Sequence, residues 1–246
     1  EWICKAQARN LLHLRFFMED NPTLSQETRQ RYERTFQGAF YRRFVLGEWT
    51  AAEGLVYDFF EESMVRPAPA EPADRWVISC DYGTVNPTSM GLWGKWGGVW
   101  YRVQEYYYDA RAARRQQTDQ EYAQRLRELA GGREIEAVVV DPSAASFLEV
   151  LRREGWHVRK ADNEVLSGIR QTADALKQGK IVICPPCTDA IREFASYCWD
   201  LSAGDRDRVR KEFDHAMDEI RYFVATVVAP EEGEDLFFAG YVERHV

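Results

Sequence analysis

Two short apolar runs each stop on an aspartate: Trp76-Val77-Ile78-Ser79-Cys80 on Asp81, and Ile135-Glu136-Ala137-Val138-Val139-Val140 on Asp141. Runs of this length, rich in β-branched residues and closed by polar or turn residues, read as strands buried on both faces. Two more runs follow the first, Thr88 to Trp93 and Val99 to Tyr108, across short turns at Gly83/Pro87 and Gly97-Gly98. Three consecutive strands with short turns predict an antiparallel meander.

Downstream, helical and strand periods alternate. The pattern predicts a helix over 116–130 stopped by Gly131-Gly132, a helix near 146–154, a strand over 156–159 and a helix over 164–178 stopped by Gly179. A strand over 180–184, a helix over 188–199 and a last helix over 214–227 complete it. A meander followed by β–α alternation implies an α/β fold with a mixed sheet flanked by helices, the opening hairpins antiparallel and the run before Asp141 parallel to the first strand. With 45 % apolar and 13 % aromatic residues in 246, the chain has material for a sizeable core and is neither a disordered tail nor a coiled coil.

Ahead of this region, residues 1–48 carry apolar positions at helical spacing (Leu11, Leu12, Leu14, Phe16 and Phe17, then Tyr32, Phe36 and Phe40) with a break at Asn21-Pro22, which predicts two helical segments. Three of the nine prolines fall in Pro67-Ala68-Pro69-Ala70-Glu71-Pro72, an extended linker by composition. The expected organisation is a helical part over 1–66, a linker over 67–74, the main domain over 75–228 and a C-terminal tail over 229–246. No apolar run approaches the ~20 residues that cross a bilayer, and no charged-then-apolar leader opens the chain, so the sequence predicts neither membrane insertion nor secretion. The five cysteines, an odd number in apolar surroundings, suit reduced thiols better than a disulfide framework.

If the strands ending at Asp81 and Asp141 lie parallel and adjacent, both carboxylates emerge at one sheet edge, where ligand crevices of open α/β sheets lie. Adjacent carboxylates repel, and a cation relieves the cost. Taken singly, each Asp reads more simply as a turn or helix-cap residue. A third element joins them: Asp214-His215-Ala216-Met217-Asp218 opens an amphipathic helix with Asp214 and Asp218 on one face. An acid-rich first turn that merely suits the helix dipole is the competing reading. An all-oxygen set of acids suits Mg²⁺ or Mn²⁺ rather than zinc.

These residues carry a resemblance. Gly47-Glu48-Trp49 with Glu53-Gly54-Leu55-Val56-Tyr57, then Asp81-Tyr82-Gly83-Thr84 with Asn86-Pro87-Thr88, Asp141-Pro142-Ser143-Ala144, and Asp214-His215-Ala216-Met217-Asp218 with Arg221-Tyr222 occur in the order found in the large terminase subunit of tailed bacteriophages and prophages. The likeness runs from about Asn21 to about Thr226. It implies a nuclease of ribonuclease-H-like fold that cuts concatemeric viral double-stranded DNA in the host cytoplasm, with two Mg²⁺ or Mn²⁺ ions assisting phosphodiester hydrolysis. Under the resemblance Asp81, Asp141 and Asp218 are the catalytic acids, Asp81, Asp141, Asp214 and Asp218 the metal ligands, and His215 a neighbour of the ligands. A portal protein and a small terminase subunit are the implied partners. No Gly-x-x-x-x-Gly-Lys-Ser/Thr phosphate loop is present, so the ATPase domain is expected to be missing from the chain and 1–66 to be a remnant of its side.

The balance of 32 Lys+Arg against 40 Asp+Glu, net −8, excludes a protein that grips nucleic acid with its whole surface. Local basic clusters remain, at Arg111, Arg114 and Arg115 and at Arg206, Arg208, Arg210 and Lys211. They are either solvated loops or phosphate contacts, with Arg208, Arg210 and Lys211 the candidates beside the acidic helix. Cys184-Pro185-Pro186-Cys187 has a metal-ligand spacing without a second pair, and reads as a turn. The acidic-apolar stretch Glu231 to Phe238 is either a docking segment or a partly ordered terminus. Two other functions fit the same residues: an actin- or sugar-kinase-like ATPase, because Asp81-Tyr82-Gly83-Thr84 resembles a phosphate-binding turn, and a catalytically silent packaging module.

Overall fold

The computed structural model describes Ser25, Gln26 and residues 54–200 and 207–231. The helical segments expected in 1–48, Arg206 and the tail beyond Glu231 lie, apart from Ser25 and Gln26, outside the described residues. The chain divides into two compact units, one of Glu1–Gly54 with Cys198–Val209, the other of Leu55–Tyr197 with Arg210–Val246. In the first, Trp199 bridges Val209 in antiparallel fashion, and Asp200 N–H donates to the Arg208 carbonyl at 2.7 Å.

The second unit holds the sheet. Its strands are β1 (Arg75–Asp81), β2 (Thr88–Trp96), β3 (Val99–Tyr108), β4 (Ala137–Val140), β5 (Val158–Lys160) and β6 (Ile181–Ile183), in the spatial order β5-β4-β1-β2-β3-β6. β1, β2 and β3 pair antiparallel, whereas β4 joins β1, β5 joins β4 and β6 joins β3 in parallel. The mixed sheet agrees with the sequence reading. The position of β6 at the far edge, beside β3, has no local signal because a short apolar strand does not name its partner.

The helices are α1 (Asp119–Ala130), α2 (Ala145–Arg153), α3 (Val165–Lys177), α4 (Thr188–Phe194) and α5 (His215–Phe223). Thr118 and Glu121 form a reciprocal capping box at the start of α1, and Gly131 ends it with a left-handed φ of 58°. α1 and α2 cover one sheet face, where Ile78, Cys80, Val138 and Val140 meet Tyr122, Leu126, Phe147 and Leu151. α3 and α5 cover the other face, with α4 packed on α5. Cover on both faces is why β1 and β4 read as continuous apolar runs. Two expectations shift: α4 stops at Phe194 rather than continuing to 199, with Ser196 Oγ donating to the Arg192 carbonyl past its end, and α5 changes to a π-helical turn over Val224–Val228.

Residues 67–74 contain no helix or strand, and the segment before them packs into the same unit as the sheet: Val65 bridges Ile183, and Tyr57 is buried against Phe194. Glu231 is ion-paired to Arg75 at 2.6 Å and Lys95 at 2.8 Å.

Candidate active site

Strand pairing brings the first two acids together. Cys80 and Val140 are register partners in the parallel β1–β4 pair, so Asp81 and Asp141, the next residues, leave the same end of neighbouring strands. Such strands run about 4.8 Å apart. The third acid arrives on α5, which lies across β1 and β2.

The start of α5 is fixed by a residue that no motif announced. Glu193 of α4 is fully buried, and its Oε2 accepts from the Ala216 and Met217 backbone N–H groups at 2.7 and 3.3 Å, while Tyr107 donates to its Oε1 at 2.7 Å. Burial raises the Glu193 pKa, against the opposing hydrogen bonds from Tyr107 and Ala216. Because Glu193 supplies the helix with its acceptor, the Asp214 side chain makes no capping bond and is free to point elsewhere. Its Oδ2 lies 3.1 Å from Lys211 Nζ.

A second hidden device holds the middle of α5. Arg102 and Glu219 are both fully buried, Arg102 donating from Nε and Nη2 to Glu219 Oε2 at 3.0 and 2.6 Å and from Nη1 to Glu105 Oε2 at 2.6 Å. Ser79 of β1 donates to Glu219 Oε1, and Trp93 Nε1 donates to Ser79 Oγ at 2.8 Å. With every charged group satisfied, the pair ties the turn carrying Asp218 to the strand carrying Asp81. Gly91 is required here: a Cβ on it would meet Glu219 Oε1 at 2.5 Å and Arg102 Nε at 2.6 Å.

Each acid has a protein partner. Asp81 Oδ2 lies 3.0 Å from His215 Nδ1. Burial, then the charges of Asp218 and Asp141, push the Asp81 pKa from 3.8 up to about 6, against the lowering hydrogen bond from His215. Burial works against a charged His215, but Asp81, Asp214 and Glu193 raise its pKa overall. Asp141 Oδ2 accepts from the Tyr222 hydroxyl at 2.7 Å and its Oδ1 from Ser143 N–H at 2.7 Å. Burial would raise Asp141, yet these hydrogen bonds and the Arg221 charge outweigh it and hold the carboxyl low. Asp218 Oδ1 accepts from Arg221 Nη2 at 2.9 Å, and its Oδ2 lies 3.1 Å from Lys211 Nζ. Arg221 and Tyr222 thus each clamp one acid.

Asp81, Asp214, His215 and Asp218 line one cleft of about 1160 Å³ together with Arg111, Arg192, Lys211 and Phe213. Asp141 is not part of the lining. Arg210 is exposed but not in the lining, and Arg208 belongs to the other compact unit. Arg192 escaped the sequence reading because it is isolated in the chain and reaches the cleft only through the packing of α4.

Among the described residues, no three His, Cys, Asp or Glu side chains are grouped so as to hold a metal ion. The expected ligands are instead turned to His215, Tyr222, Arg221 and Lys211. Their chemistry does fit a hard cation: the donors are carboxylate oxygens, the Asp81 carboxyl is under-compensated, and an ammonium already stands between Asp214 and Asp218. The Cys184 and Cys187 thiols are free and buried, with Cys187 Sγ donating to the Arg102 carbonyl at 3.0 Å.

Known proteins share this fold. The large terminase of a thermophilic bacteriophage, solved in complex with ADP, superposes with a TM-score of 0.83 and 45 % identity over 93 % of this chain and 58 % of that one. This chain is a homologue of the large terminase subunits. The terminase large subunit of Escherichia phage T5 is 22 % identical over 222 residues, 85 % of this chain and 50 % of that protein. The large terminase nuclease of phage G20c, solved with bound magnesium, matches with a TM-score of 0.54 at 14 % identity, over 72 % of this chain and 99 % of that one. The sheet is thus that of the terminase nuclease domains, a ribonuclease-H-like fold. No protein-family model matches.

This terminase homologue spans between half and three-fifths of the length of the T5 protein and of the ADP-bound terminase. The expectation that the ATPase domain is missing requires correction: the match to that second protein, solved with ADP and with ATP-γ-S, covers 93 % of the chain, against 72 % for the G20c nuclease. The sequence lacks the phosphate-loop signature, which is a narrower statement than lacking the domain. No helix among the described residues is long and apolar enough to cross a membrane.

Proposed function

We propose that this chain carries the nuclease of a DNA-packaging terminase and hydrolyses phosphodiester bonds in viral double-stranded DNA. The observation that carries the reading is the meeting of Asp81 at the end of β1 with Asp218 on α5 in one cleft, and of Asp141 beside Asp81 across the β1–β4 pair. Asp81, Asp141, Asp214 and Asp218 would hold Mg²⁺ or Mn²⁺, as a pair of ions, which supply Lewis acidity at the scissile phosphate and lower the pKa of attacking water. G20c, of the same fold, was solved with magnesium.

The chain's own groups have distinct tasks. Tyr222 and Ser143 hold Asp141 ionised and oriented, and Arg221 orients Asp218 through a hydrogen bond at 2.9 Å. His215, hydrogen-bonded to Asp81, is placed to accept or return a proton at its imidazole. Lys211, Arg111 and Arg192 offer positive charge to a phosphate chain along the cleft, with Arg208 and Arg210 in the adjoining sequence as further contacts. The portal protein and the small terminase subunit are the proposed partners, in the host cytoplasm.

Nicking of supercoiled plasmid in Mg²⁺ or Mn²⁺ tests the reading. Asp81→Ala, Asp141→Ala and Asp218→Ala are each expected to lower the rate by at least about 100-fold, with unchanged circular dichroism. Full activity in the Asp81 or Asp141 variant overturns it, and a wild-type chain that binds DNA without cutting favours a packaging-assembly role.

A further inference from the structure

Phe213 combines three features. The residue is 59 % exposed, it lines the cleft beside Asp81, His215 and Asp218, and its backbone is left-handed at φ 54°. A bulky residue in that region is strained, and glycine would adopt it freely. Burial does not repay the strain, because the ring faces outward.

The strain has a structural origin. On one side, Lys211 is drawn to Asp214 and Asp218, at 3.1 Å from each. On the other, Glu193 grips the first turn of α5 through Ala216 and Met217. Between two pinned points the chain must turn sharply, and the turning residue is an aromatic one. The remaining lining includes Arg111, Arg192, Asp109, Glu212, Tyr107 and Tyr108, with the Arg192 guanidinium lying over the Tyr107 ring at 5.4 Å and Phe213 the most exposed aromatic residue among them. An exposed ring beside the cationic Arg111 and Arg192 matches the two chemical faces of a nucleic-acid strand, base and phosphate.

We propose that the Phe213 ring stacks on a base left unpaired where the DNA duplex opens at the cleft and so positions the neighbouring phosphodiester beside Asp81 and Asp218. The assignment rests on the nuclease reading above and adds a base contact to it. It makes Phe213 a substrate-positioning residue that takes no part in bond cleavage.

The test uses the full 246-residue chain. Binding of a fluorescent single-stranded oligonucleotide is measured by anisotropy in EDTA at low salt, beside the melting temperature, for wild type, Phe213→Gly and Phe213→Trp. Phe213→Gly is expected to raise the melting temperature by a few degrees through release of backbone strain, yet weaken binding about 10-fold or more. Phe213→Trp is expected to keep the affinity. The dependence on salt should be the same in all three, because phosphate contacts are untouched. A merely structural Phe213 would move stability and affinity together. Wild-type affinity in Phe213→Gly overturns the stacking role while leaving the nuclease reading intact, whereas a wild-type chain that neither binds oligonucleotide nor nicks plasmid overturns both.

Discussion

Asp81 is the residue where the fold and the chemistry conflict most. Buried at a strand end among Asp141 and Asp218, its carboxyl titrates at about 6 instead of 3.8. A folded-state pKa above the unfolded value adds stability at pH below the unfolded pKa, and that contribution disappears as pH rises through about 6. The raised pKa of His215 acts with the same sign. Acidification from pH 8 to pH 5.5 in EDTA is therefore expected to raise the melting temperature. Asp81→Asn should flatten that dependence and melt higher at pH 8, by up to roughly 3 kcal/mol of unfolding free energy. A profile for Asp81→Asn parallel to wild type contradicts this account.

At the scale of the element, α5 positions the site because five neighbours fix it: Glu193 at its start, Arg102 and Ser79 through Glu219, α3 against Arg221, and Trp93 stacked on Phe223 at 4.0 Å. The α3 contact requires Gly168, where a Cβ would meet Arg221 Cγ at 2.5 Å and Cδ at 2.8 Å. In an exposed helix Gly→Ala gains about 1 kcal/mol. Here the methyl group displaces the guanidinium that holds Asp218, so Gly168→Ala should instead lose about 1–3 kcal/mol in urea denaturation and reduce plasmid nicking. The sign of the stability change decides between the two.

The same helix marks the limit of what sequence reading reaches. The strand-terminal Asp81 and Asp141 and the helical Asp214 and Asp218 were legible because periodicity places them and the resemblance orders them. Glu193, Glu219 and Arg102 were not, because a buried, fully paired charge looks in sequence like any solvated one. β6 beside β3 was equally hidden, and α4 reads as longer in sequence because the apolar residues after Phe194, Ala195, Tyr197 and Trp199, continue its spacing while the backbone turns away. Gly91 and Gly168 resemble ordinary flexible points until the arginines packed against them are seen.

Across the whole molecule, the net charge of −8 and the acid cluster in the cleft set how DNA is held. The basic side chains of the cleft are few and partly engaged: Lys211 with the acids and Arg192 with Asp189 at 2.5 Å. In EDTA the affinity for duplex DNA should be weak and fall steeply between ~50 and ~200 mM salt. On a phosphorothioate duplex that resists cleavage, Mg²⁺ should tighten it, since a bound cation reverses the local charge. Tight, salt-insensitive binding in EDTA would contradict this balance.

β1 lies third in the six-stranded sheet, hydrogen-bonded along both edges and covered on both faces. Its amides from Val77 to Cys80 should therefore exchange with solvent only when the entire unit opens, on the slowest time scale the protein has. Asp81 thus stands on an anvil that moves only when the unit unfolds, so its place beside Asp141 needs no ligand to organise it.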